Sequence, residues 1–341
     1  EPSVVAAASS AAKRIGGFIT EADPPIAVAQ IYLEGASGTL GDDARARIRA
    51  EANRVVPGLV ERGGGAREVH VDRIDDTVRV HVELAVCDAL GANLADTLAE
   101  AVAPVLEEEL GGRALLRILT NLALERRVRV KCRAMIDAEV AKRIVRATHI
   151  ADLDPRRAAT HNKGVLNGID AVALATANDW RAIEASAHAY ASQHGGYRSL
   201  TRWWKTEEGD LAGALELPLK VGTVGGQIQS NPSAGIALRL LGVQTARELA
   251  EVMCAVGLAQ NFSALRALST EGIQRGHMTL HARSCAVAAG ASPEVFDRVV
   301  DQLVESGEIK TWKAKEILEQ LDDPAAPAES HDLQPTELPE A

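Results

Sequence analysis

Between Glu68 and Val86 apolar and polar residues alternate on both sides of Asp75-Asp76, the period-2 pattern of two strands joined by a hairpin. A second pair, Arg198–Thr206 and Leu211–Leu219, turns at Glu208-Gly209-Asp210. Ala27–Leu33 adds a strand, and Arg113–Asn121 and Arg127–Ala134 add further extended or short helical pieces. Elsewhere the pattern is helical. Ser3–Ile15 is small and alanine-rich, a packed helix that the Gly16-Gly17 pair would close. Asp42–Arg62 reads as a surface helix that Pro57 and Gly58 kink or end. The strand ending near Cys87 runs into Asp88-Ala89-Leu90-Gly91-Ala92-Asn93 and then a helix to about Leu110. Asp154-Pro155 supplies an N-cap with proline at the first helical position. An alanine-rich helix is expected over roughly Ala171–His194, and another over about Ala234–Leu241. Thr245 and Glu248 form a capping box ahead of a long buried helix to about Leu268. Gly272–Gly276 should break it, before helices over His277–Ala288 and within Glu294–Leu321.

Asp23-Pro24-Pro25 marks a boundary, so these elements sort into an α+β chain. Residues 1–24 and 135–272 form a mainly helical large domain, interrupted by a compact α+β unit with an antiparallel sheet over 25–134. Residues 273–321 are a C-terminal helical unit, and the Pro-, Glu- and Asp-rich tail 322–341 is expected to be disordered. Aromatic residues are only 3% of the chain, so the core must be built from Ala, Val, Leu and Ile. A net charge of −10 with no basic patch argues against a nucleic-acid partner. No apolar run approaches the ~18–20 residues of a spanning helix, which argues against a membrane. The 4 cysteines (Cys87, Cys132, Cys254, Cys285) include no C-x-x-C pair and fit reduced thiols in the cytoplasm. The chain opens on Glu1-Pro2-Ser3 without an initiator methionine or a signal core, so a preceding segment is expected to be missing.

Four stretches could carry chemistry. In Arg157–Asp170 the small polar groups of Thr160, His161 and Asn162 surround Lys163. Asp179 falls at helical spacing among Val172, Ala175, Ile183 and Ala187, so its carboxylate is expected to meet an apolar face and to need a cation. Lys163 is the nearest candidate, and the pair could be structural or functional. Asp88–Asn93 is a strand–turn–helix junction whose free N–H groups suit a pyrophosphate, although it is not G-x-G-x-x-G and also fits a tight structural turn. Val221–Gly226 is a glycine loop that could approach a ligand or merely connect. His277 and His281 share a helix face, but Met278 stands where H-E-x-x-H has its glutamate. No G-x-S-x-G and no P-loop is present.

Together these stretches resemble the soluble bacterial (class II) 3-hydroxy-3-methylglutaryl-CoA reductases. The matching segments are EPSVVAAAS from Glu1, DALGAN from Asp88, DPRRAATHNKGVLNGID from Asp154 and ATANDWRAIEA from Ala175. LPLKVGTVGG, GVQTARELAE, VGLAQN and TEGIQRGHMTLHAR continue them in order and cover nearly all of the chain except the tail.

The resemblance implies reduction of a CoA thioester by two successive hydride transfers, interconverting 3-hydroxy-3-methylglutaryl-CoA and mevalonate plus CoA. The family's catalytic residues fall on Glu1, Lys163, Asp179 and His277. Lys163 would meet the developing oxyanion, and Asp179 would fix that lysine. Glu1 would relay protons, and His277 would protonate the departing thiolate from a C-terminal flap. Ser3, Arg157, Asn167 and Asn261 would hold the hydroxymethylglutaryl end. Asp88, Gly91, Asn93 and Asn121 would line a dinucleotide in the small, ferredoxin-like domain. NAD-using relatives carry an acidic residue in a stretch corresponding to Ala52–Pro57, which here has no carboxylate, while Arg54 could attract a 2′-phosphate. The cofactor is therefore NAD or NADP, with NAD favoured by overall likeness. The family also implies a homodimer, or an oligomer of dimers, with active sites at the dimer interface and no resident metal. The alternatives are a zinc-dependent hydrolase using His277, His281 and His161, and a non-catalytic assembly protein of the same fold.

Overall fold

The structure, a computed structural model, describes residues 9–270 and 272–322, without side-chain detail at residues 227, 273–277, 279, 280 and 322. It divides into two compact units between Thr270 and Glu271. The first unit has two sheets, each with its own core.

One sheet has the order β1(Ile15–Ala22)–β6(Arg127–Ala134)–β8(Leu211–Pro218)–β7(Thr201–Lys205), antiparallel throughout. Residues 9–14 (α1) lead into it, and α5(Ala138–Leu153), α6(Pro155–Ala175), α7(Trp180–Ala191) and α10(Ala246–Ser269) pack with it. The core joins Val128 and Val130 of β6 with Val165, Leu166 and Ile169 of α6 and Met253, Leu258 and Phe262 of α10. Gly168 and Gly257 allow α6 and α10 to approach closely: an added Cβ at Gly168 would stand 3.0 Å from Gln260 Cβ. Thr245 and Glu248 form both halves of the expected capping box, and Asp154 caps α6 through the Arg156 N–H.

This sheet corrects the expected boundaries. Gly16-Gly17 does not end a helix. The pair lies inside β1, where the register with β6 shifts between Ile15 and Phe18 and Gly17 takes a φ of 137°. Arg127–Ala134, assigned above to the small domain, pairs with β1 and β8 and feeds the larger core.

The second sheet has the order β3(Gly65–Ile74)–β4(Thr77–Ala85)–β2(Ile26–Glu34)–β5(Arg113–Leu119). With α2(Asp42–Arg54), the short α3(Pro57–Glu61) and α4(Ala92–Leu110), the chain order is β-α-β-β-α-β. Alternation on β4 buries Val78, Val80, Val82 and Leu84 beneath Leu98, Val102 and Leu106 of α4 and Ile48 and Ala52 of α2. The Asp75-Asp76 hairpin forms as expected, with Asp75 in the left-handed region.

In the second unit α11(Ile273–Ala289), α12(Phe296–Ser306) and α13(Thr311–Asp322) enclose a small core of Ala282, Cys285, Val299, Val300, Leu303 and Ile317. α10 ends at Ser269 and α11 begins at Ile273, so Gly276 lies within a helix and does not break one. Glu1, Ser3 and the tail from 323 onward lie outside the described residues. Among the described residues no helix is long and apolar enough to cross a membrane.

Candidate active site

The Asp88–Asn93 turn and the 221–226 glycine loop meet. The N–H groups of Thr223 and Val224 both donate to Asp88 O, at 2.9 and 3.3 Å, and Ala89 pairs with Val224 in an isolated parallel bridge. Gly222 is required at this crossing, because a Cβ there would stand 2.5 Å from Leu90 N. Asp88 Oδ1 accepts from Ala246 N at the start of α10 (2.8 Å), which ties the small sheet's turn to the larger core. Arg126 is buried beneath the crossing and donates to Val221 O and, at 3.5 Å, to Ala89 O. Burial pushes its guanidinium down to about 10, with Asp88 opposing.

Gly91 caps α4 with φ 90°, and no side chain caps that helix. An added Cβ would lie 2.6 Å from Val86 Cγ1, so the position is confined to glycine. The first N–H groups of α4 are thus taken by no side-chain cap, and such groups beside exposed Asn93 suit the phosphates of a dinucleotide.

The expected helix over 171–194 is interrupted. α6 ends at Ala175, Ala177 takes a φ of 54°, and Asp179 becomes the N-cap of α7, accepting from Ala182 N at 3.2 Å. Its side chain is 41% exposed and not sunk in an apolar face. Asn178, buried beside it, grips Gly222 twice: Gly222 N donates to Oδ1 at 2.8 Å, and Nδ2 donates to Gly222 O at 3.1 Å. The turn carrying Asp179 is therefore clasped to the loop that packs on Asp88–Leu90.

The expected Lys163–Asp179 pair is absent within the chain. Twelve helical residues separate Lys163 from the end of α6, a rise of about 18 Å, far beyond a lysine's reach. The cation paired with Asp179 is its neighbour Arg181, with Nε 3.8 Å from Oδ1, and the Asp179 carboxylate also bears on the buried ammonium of Lys220. Lys163 sits exposed in mid-helix, on one stripe with Asn167 and Asp170. Arg157 lies a turn and a half earlier, half-buried and without an ion-pair partner among the described residues, and burial lowers its pKa.

Asn261 lies below α6 and is 2% exposed. Its Oδ1 accepts from Thr201 Oγ1 (3.0 Å) and Trp203 Nε1 (2.8 Å), and its Nδ2 is 3.2 Å from His161 Nε2. This corrects the zinc reading of His161, which is a buried core histidine pushed down to about 3 by burial and by Arg157. Arg54 is 68% exposed, and its fork is taken by Glu51 at 2.6 and 2.8 Å. A carboxylate thus stands one residue before the stretch in which none was found. His277 lies on the backbone of α11, and its side chain is outside the described atoms.

A family model described as hydroxymethylglutaryl-coenzyme A reductase matches residues 1–282. The 3-hydroxy-3-methylglutaryl-coenzyme A reductase of Archaeoglobus fulgidus is 46% identical, over 94% of this chain and 77% of its own. The chain belongs to the hydroxymethylglutaryl-coenzyme A reductase family. The reductase of Streptococcus pneumoniae shares its fold with a TM-score of 0.77 at 42% identity, covering 94% of this chain and 81% of that one. A class II form of the Streptococcus pneumoniae enzyme bound to NADPH in open conformations superposes with a TM-score of 0.76 at 42% identity, over 95% and 83% of the two chains. Neither the zinc hydrolase nor the non-catalytic assembly protein is supported by these matches.

Reductase sequence patterns did not flag Asp170, Arg126 or Lys220. Asp170 Oδ1 is buried without a donor, and its carboxyl is pushed up to about 7 by burial and by Glu184 of α7, against the pull of Lys163. Its folded pKa lies above the ordinary value, so its contribution to stability is present at low pH and is lost as pH rises through about 7. Asp170→Asn should therefore melt with wild type near pH 3.5, below the ordinary carboxyl value, and about 2–4 °C above it at pH 8.5. Equal melting differences at both pH values would remove the effect assigned to the Asp170–Glu184 pair.

Proposed function

We propose that the chain interconverts 3-hydroxy-3-methylglutaryl-CoA and mevalonate plus CoA with a nicotinamide dinucleotide. The observation that carries this reading is the clasp of Asn178 on Gly222. Through it the Asp179 turn meets the Asp88–Gly91 turn, and a substrate-side carboxylate lies beside a phosphate cradle. The small βαββαβ unit is then a ferredoxin-like dinucleotide domain held by Asp88, Gly91, Asn93 and Asn121. The bound dinucleotide supplies hydride.

Lys163 offers its ammonium to the oxygen that gains charge as the thioester carbonyl is reduced, an electrostatic role typically worth about 3–4 kcal/mol. Arg157 and Asn167, together with Ser3 and Asn261, hold the hydroxymethylglutaryl end. Arg157 is suited to its carboxylate because its fork has no counter-ion among the described residues. Glu1 relays a proton to the reduced oxygen, and His277 protonates the leaving thiolate, a general-acid step worth about 10²–10⁴-fold. Since Asp179 lies beyond the C-terminal end of α6, about three turns from Lys163 in its middle, we assign them to one site only when two copies pair as a homodimer.

The test is to supply the thioester with NADH or NADPH and to follow nicotinamide absorbance together with free thiol. Two reduced nicotinamides consumed per CoA released are expected. Thiol release without nicotinamide oxidation would instead mark a hydrolase. Cofactor choice rests on the Glu51–Arg54 pair at the end of α2. Arg54→Ala should raise KM for NADPH about tenfold and leave KM for NADH nearly unchanged, as loss of a charge-assisted bond to a 2′-phosphate requires. Parallel changes for both cofactors would rule Arg54 out as the discriminator.

A further inference from the structure

Lys220 follows β8 between Leu219 and Val221, both fully buried, and is itself only 3% exposed. A methionine would fill this place without desolvating a charge, so packing alone does not call for lysine. Its Nζ donates to Asn121 Oδ1 at 2.8 Å, the one hydrogen bond it makes among the described residues. Its segment is fixed on both sides: before it Leu219 N donates to Arg126 O at 3.1 Å, and after it Arg126 holds Val221 O and Asn178 holds both backbone groups of Gly222. The charged groups that face it are Asp179 at the α7 N-cap, Arg126 and Asp96 of α4. The ammonium therefore stands where the turn of Asp179 and the wall of Asn121 come together.

We propose that Lys220 is a positioning residue of the reductase, whose ammonium keeps Asp179 on the substrate side and Asn121 on the dinucleotide side in one working register. The proposal rests on the reading that these two residues serve the reduction. Burial pushes Lys220 down to about 8, with Asp179 opposing, Arg126 adding to the fall and Asp96 opposing. The register is thus held below that pH and released above it. A buried lysine kept only for packing would show no such link to turnover.

The experiment compares wild type, Lys220→Met and Lys220→Arg as intact dimers, with folding checked by circular dichroism and kcat and KM measured from pH 6 to 10. In Lys220→Met kcat should fall about 10–100-fold, the usual cost of a small misplacement of reacting groups. KM for the nicotinamide should rise several-fold through Asn121. The wild-type decline of kcat near pH 8 should be missing from this variant. Lys220→Arg keeps its charge throughout, so it should retain more activity than the methionine variant and carry its alkaline decline well above pH 8. A methionine variant with wild-type kcat overturns the proposal. If that variant fails to fold, an arginine variant that still declines near pH 8 overturns it alone. Wild type that oxidises no nicotinamide with the thioester refutes the underlying function, and the proposal falls with it.

Discussion

Lys163→Ala is expected to lower kcat about 10²–10³-fold, the cost of removing one preorganised oxyanion donor. The fold should not change with it. Lys163 lies exposed in the middle of α6, a 21-residue helix whose buried face is made by Ala158, Val165, Leu166 and Ile169. Alanine keeps the helix and removes no core contact, so stability should stay within about 0.5 kcal/mol of wild type. KM for the thioester should move far less than kcat if Arg157 and Asn167 hold the substrate's acidic end as proposed. Loss of the lysine also withdraws the charge that restrains Asp170, so the alkaline destabilisation described above should deepen in this variant. Substantial residual turnover at saturating substrate would sink the role given to Lys163.

Local rules made much of the fold legible. The Thr245–Glu248 capping box, the Asp154-Pro155 helix start and both hairpins depend on neighbours in sequence, and each forms where expected. Pairings between distant segments were harder to see. Gly16-Gly17 has the composition of a helix stop, yet long-range pairing with β6 makes it a strand irregularity. Arg127–Ala134 reads equally well as part of either sheet, and only its partners β1 and β8 decide. The Asp179 turn was hidden for the opposite reason. Alanines continue across 171–191, and the break comes from Asn178 reaching Gly222, 44 residues away. Candidate residues were legible through family motifs, but their mutual geometry was not. A spacing of 16 positions from Lys163 to Asp179 suggested a pair in sequence, whereas the rest of α6 holds them apart. Lys220 and Arg126 carried no signal, since a lysine in L-P-L-K-V-G and an arginine in E-R-R look like surface charges until they are found buried.

That separation leads to the second large effect, the restoration of activity by two inactive chains. Lys163→Ala and Asp179→Asn should each be nearly inactive as homodimers. If one site takes Lys163 from one copy and Asp179 from its partner, a heterodimer of the two variants has one site with both defects and one site with none. Co-expression giving a statistical mixture should then recover about a quarter of wild-type activity, and purified heterodimer about half. Both values stand roughly two orders of magnitude above either parent. A site built within one chain predicts the reverse, because each copy of the heterodimer would carry one lesion and activity would stay at the parental level. The contrast is the same however the two copies pack. It depends only on α6 continuing unbroken for twelve residues past Lys163, too far for that side chain to meet its own Asp179. Both substitutions leave the helix intact: Lys163 is exposed, and asparagine at 179 can still cap α7 through its side-chain oxygen. Tandem affinity tags would isolate the heterodimer, and differential scanning fluorimetry would confirm that both parents are folded. Activity at the parental level in that heterodimer would place the whole site in one chain and require α6 to bend.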